Sequence, residues 1–85
     1  MPWDLLITKP AERDLRALGR NDRQRVNAAL EAMRSDPFGG DITFLKGTAG
    51  ALRRRVGSWR ILFDVDQSGR RVVILGVKRR TSTTY

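Results

Sequence analysis

From Leu52 to Val65 the chain reads LRRRVGSWRILFDV, and from Val72 to Val77 it reads VVILGV. Trp59, Ile61, Phe63 and Val65 alternate with Arg60 and Asp64. That period of two sends successive side chains to opposite faces of a strand. If residues 52 to 56 are extended as well, Arg53 and Arg55 share one side, and Arg54 turns to the other with Leu52 and Val56. The segment DQSGR (Asp66 to Arg70) has turn composition, and the apolar residues of VVILGV on both parities suit a central strand of an antiparallel sheet. The chain must therefore build a sheet with one apolar face, and guanidinium groups are fixed to its other face.

The first half supplies the helices. Trp3, Leu5 and Ile7 outline a short strand over residues 3 to 7, after which Thr8 can cap a helix that tolerates Pro10 in its first turn. Ala11, Leu15 and Leu18 give that helix an apolar stripe, and it stops before Gly19. Asn21 and Gln24 resemble a capping box, and Val26, Ala29, Leu30 and Met33 form the stripe of a second helix from about Asp22 to Ser35, ahead of Pro37. Phe38, Gly39, Gly40 and Asp41 read as a loop, and Leu45 to Ala51 shows no clear period. The expected fold class is α+β: an N-terminal strand, a two-helix hairpin, then a three-stranded antiparallel meander, with the helices on one face of one sheet. Residues 1 to 85 form a single domain with a thin core.

Charge and composition narrow the chemistry. The net charge is +8, and of the seventeen Lys and Arg, ten lie from residue 46 onward, against only Asp64 and Asp66 as acids there. Such segregation favours a polyanionic partner, and nucleic acid is the default. Arginine predominates, and its planar fork grips phosphate in a bidentate way. The chain has no cysteine and no histidine, so thiolate and imidazole metal sites and a histidine base are excluded. No apolar run approaches the roughly 20 residues that cross a bilayer. The start MPWDLLITKP has no signal-peptide character, so a cytoplasmic location without membrane contact is expected.

Arg53, Arg55, Arg60 and Arg79 are the candidate ligands of one concave phosphate-binding surface, whereas Arg54, Arg70 and Arg71 read as solvated. Tyr85 is the sole tyrosine. A phenol with pKa near ~10 loses its proton more readily beside several cations. Trp59 and Phe63 lie on the apolar parity and read as core, so none of the aromatic residues is assigned to RNA.

The N-terminal strand, two helices, Leu45 to Gly47, the basic strand, VGSWRILFDV (Val56 to Val65) and VKRRTSTTY (Val77 to Tyr85) together resemble the RelE/ParE toxin superfamily over nearly the whole chain. The carrying pattern is basic, any residue, basic, then an aromatic-Arg pair, then Lys-Arg with a tyrosine six residues after that arginine. The resemblance implies the toxin of a type II toxin-antitoxin system, specifically a RelE-type, ribosome-dependent messenger RNA interferase. Under it Arg53, Arg55, Arg60, Arg79 and Tyr85 line the active site. Tyr85 takes the ribose 2′-hydroxyl proton, Arg60 and Arg79 stabilise the transition state, Arg55 stabilises charge near the leaving 5′-oxygen, and Arg53 holds the phenolate or substrate. Lys46, Lys78 and Arg80 bind the substrate, and neither metal nor small-molecule cofactor is needed. The implied partners are a cognate antitoxin and the ribosome with its messenger and ribosomal RNA. Positions 53 and 55 are arginines where the RelE type carries lysines, and a guanidinium stabilises charge better than it transfers a proton. Two alternatives stay open: a ParE-like DNA gyrase poison of the same fold, and a non-catalytic basic module that binds RNA or a partner.

Overall fold

A computed structural model describes residues 2–40, 42–44 and 51–79. Among them the order is β1 (Asp4–Ile7), α1 (Lys9–Arg16), α2 (Arg20–Ser35), β2 (Ile42–Phe44), β3 (Ala51–Val56), β4 (Trp59–Asp66) and β5 (Arg71–Arg79). The strands form one mixed sheet in the order β1-β5-β4-β3-β2. β3, β4 and β5 are the expected antiparallel meander, and β1 pairs with β5 in parallel. The expectation that β5 is central is met, since it lies between β1 and β4.

Helix α1 starts where local chemistry directs it. Thr8 adopts an extended conformation, its Oγ1 accepts the Ala11 N–H, and Pro10 sits in the first turn, where backbone donors have no helical acceptors. Helix α2 begins earlier than the Asn21–Gln24 pattern suggests. Gly19 is its N-cap without a side-chain cap, and Asn21 lies inside the first turn. Leu18 is buried, which draws the chain into the core between the helices and starts α2 directly after Gly19.

The core is one cluster. Ala11, Leu18, Val26, Ala29, Leu30 and Met33 of the helical segment pack with Leu52, Ile61, Phe63, Val72, Ile74 and Val77 of the sheet. Ile61, Phe63, Val72 and Ile74 are fully buried. The register shifts between Leu62/Phe63, where Gly76 opposes Leu62 and Ile74 opposes Phe63. Leu75 is the extra residue of this bulge, which reverses the parity of β5 so that Ile74 and Val77 both reach the core.

The sequence reading missed β2. Ile42, Thr43 and Phe44 pair with Arg54, Arg53 and Leu52. Gly40 leads toward it with φ 82°, and a Cβ there would stand 2.8 Å from the Arg54 guanidinium carbon. Arg54 donates to the Gly39 carbonyl at 3.1 Å. It is therefore a half-buried clamp on the segment before β2, and not the solvated arginine expected.

Candidate functional site

Strand register decides which cations meet. Arg55 is paired with Arg60, and Arg60 with Lys78. Directly opposed residues in antiparallel strands share a face, so these side chains form a row across β3, β4 and β5. Arg53, paired with Leu62 and Thr43, lies one step inward on the same face. This is the face turned away from Ile61, Phe63 and the helices.

Within the row Arg60 is partly buried, and its Nε has no hydrogen-bond partner among the described residues. A buried donor without a partner costs free energy, and an anionic oxygen would satisfy it. Arg55 is exposed beside it and Arg53 is half-buried. The charge on this face is uneven. Asp4, Asp64 and Asp66 occupy the same parity toward the β4–β5 turn, with Arg71 as the one cation among them, so the excess of positive charge on this face gathers near the β3–β4 turn.

Lys78, the third cation of the row, is held from the side. Its Nζ lies 3.2 Å from Oδ2 of Asp14 on α1. The same oxygen accepts the Val77 N–H at 3.0 Å. Burial pushes the Asp14 carboxyl upward, but the Val77 N–H, Lys78 and the charge of Arg13 outweigh this and hold it below its ordinary value. Nothing in the sequence pattern marks Asp14, because it reads as an ordinary polar position on α1 and its partners lie 63 and 64 residues further along the chain.

Arg79 departs from the expected convergence. It pairs with Trp59, whose side chain belongs to the opposite parity from Arg60, and its guanidinium carbon is 5.8 Å from the Trp59 ring centroid. Arg79 thus caps the other side of the sheet at the same end. Its parity follows from the bulge at Leu75. Arg70 is exposed, as expected, and places its guanidinium carbon 4.7 Å from the Trp3 ring centroid with a positive φ of 49°. Lys46, Arg80 and Tyr85 lie outside the described residues.

No protein-family model matches the sequence, and no curated protein matches it. Solved structures do. A chain of the archaeal RelE–RelB complex from Pyrococcus horikoshii OT3 is 23% identical, with a TM-score of 0.84, and the match covers 98% of this chain and 100% of that one. A chain of the toxin–antitoxin complex RelBE2 from Mycobacterium tuberculosis is 26% identical, with a TM-score of 0.81 over 94% and 100%. The isolated RelE toxin of E. coli is 17% identical, with a TM-score of 0.82 over 95% and 87%. The α+β architecture is the RelE-type fold along nearly the whole chain.

Proposed function

We propose that this RelE-fold chain is the toxin of a type II toxin-antitoxin pair and a metal-independent endoribonuclease that cuts messenger RNA in the ribosomal A site. The observation that carries the reading is the Arg55–Arg60–Lys78 row with the buried Nε of Arg60, which has no partner among the described residues. It offers a fixed set of donors to a phosphodiester. The antitoxin partner is supported by the toxin–antitoxin complexes among the structural neighbours.

In this mechanism Tyr85, as phenolate, removes the 2′-hydroxyl proton, and the 2′-oxygen attacks the adjacent phosphorus. The bond from phosphorus to the 5′-oxygen then breaks. The products are a 2′,3′-cyclic phosphate and a 5′-hydroxyl, whose proton comes from water. Arg60 stabilises the charge gathering on the phosphoryl oxygens and Arg55 that on the departing oxygen, while Arg53 and Lys78 position the strand. Donors already aimed at developing charge need little reorganisation, and losing one such donor typically costs about 10²–10³ in rate. Arg79 lies over Trp59 on the opposite side of the sheet from this row, and no role in the step is assigned to it. The ribosome positions the substrate, as a site of so few groups requires.

The test is 5′-end mapping of a translated messenger RNA in a reconstituted translation reaction. Cuts that require both the ribosome and Tyr85 are expected, with Tyr85→Phe abolishing them. Intact RNA with folded protein would shift the reading to a ParE-like gyrase poison or a binding module.

A further inference from the structure

We propose that Asp14 is a positioning residue that holds Lys78 beside Arg60 for phosphate binding; this rests on the reading of the Arg55–Arg60–Lys78 row as the phosphate site. β1 ends at Ile7, whereas β5 continues to Arg79. Past the end of β1 the outer edge of β5 is met by the segment that follows. Thr8 donates from its N–H and its Oγ1 to the Ile74 carbonyl, at 3.2 and 2.7 Å. Beyond the bulge, Asp14 accepts the Val77 N–H. One carboxylate oxygen therefore serves a backbone donor that fixes it and an ammonium that it then fixes.

The packing around this contact is close. A Cβ on Gly76 would stand 3.3 Å from Asp14 Oδ2 and 3.4 Å from Lys78 Cε, so glycine leaves the space in which carboxylate and lysine stem meet. The Asp14 side chain is 22% exposed and that of Lys78 57%, so the carboxylate is sheltered while the ammonium still faces solvent. An ammonium has three donors and Asp14 occupies one, leaving two for phosphate. A free lysine loses much rotamer entropy when it grips a ligand, and the anchored one has lost part of it on folding.

Charge alone makes the opposite forecast. Removing a carboxylate near a polyanion site tightens binding through the long-range field, and does so whether or not Lys78 is present. Positioning acts only through Lys78. The two are separated by a double-mutant cycle on binding of a single-stranded RNA oligonucleotide to the full chain, using Asp14→Asn, Lys78→Met and the pair. The expected result is that Asp14→Asn tightens binding in the Lys78→Met background but gives none of that gain, or a loss, with Lys78 present. The non-additivity should reach roughly threefold to fivefold, the scale of a well-placed ion pair. Additive effects within about 1.5-fold would overturn the proposal.

Arg60→Ala is the control for the underlying reading. If it leaves RNA binding unchanged, the row is not the phosphate site. If it weakens binding while the cycle is additive, the site stands and the role of Asp14 does not. An independent readout is acylation of Lys78 followed by peptide mass spectrometry. Loss of the carboxylate should raise Lys78 labelling about threefold relative to Lys9, because the amine is no longer tethered against α1 and reaches the reagent in more orientations; unchanged labelling would also overturn the proposal. Should Asp14→Asn not fold, Lys78→Arg, which can still pair with Asp14, must bind RNA more tightly than Lys78→Met.

Discussion

The two faces of β4 are built from alternate residues of one strand and do opposite work. Ile61 and Phe63 are fully buried against the helices, whereas Arg60 and Leu62 on the other parity are only partly covered. On the helix side the residues of β4 are all apolar, and burial of Ile61 and Phe63 stabilises the fold at roughly 25 cal/mol per Å². On the open side the Nε of Arg60 is buried without a partner among the described residues, an arrangement that costs stability until an acceptor meets it. One face is packed for folding, and the other keeps a donor that an acceptor oxygen would satisfy.

The contrast can be broken most severely at Phe63. Phe63→Ala removes a fully buried ring from the centre of the cluster and should cost about 3–5 kcal/mol, read as a large drop in the urea midpoint. Much of a small domain's stability is lost with it. Arg60→Ala should do the reverse, lowering the cleavage rate by about 10²–10³ while leaving the urea midpoint unchanged or slightly raised, since its buried Nε has no hydrogen-bond partner among the described residues to lose. A falling midpoint would mean that Arg60 belongs to the scaffold.

Smaller effects sharpen the same comparison at its margins. Gly40→Ala combines a positive φ with a Cβ at 2.8 Å from the Arg54 guanidinium carbon, so a loss of about 1–3 kcal/mol is expected from chemical denaturation. The smallest effect belongs to Asp14. Its carboxyl is held below the ordinary 3.8 in the folded chain, so its contribution to stability is complete above that value and is lost as pH falls through the lowered folded value. Unfolding midpoints of wild type and Asp14→Asn measured between neutral pH and about pH 2.5 should converge at the acid end. Parallel curves would show that the Asp14 charge carries no folding energy.

Much of this molecule was legible before the structure. Thr8 and Pro10 announced the start of α1, the stripe Val26–Ala29–Leu30–Met33 announced α2, and the parity of Arg53, Arg55 and Arg60 was correct, because each rests on contacts within a few residues. The miss at Asn21–Gln24 has a tertiary cause: burial of Leu18 set the start of α2. β2 escaped because three residues after two glycines carry no period, and their strand state comes from pairing with β3.

The alternation that divides β4 into a core face and a cationic face, the helical stripes that cover one of them, and the excess of positive charge are all written in the chain itself. These are local periodicities, and backbone geometry converts them into direction without reference to the rest of the chain. Tertiary structure alone decided the parallel pairing of β1 with β5, the bulge at Leu75 that turns Arg79 onto Trp59, and the capture of Lys78 by Asp14. Each joins groups far apart in the chain, and a one-residue slip in register reverses every side chain beyond it. No local pattern can encode that sign.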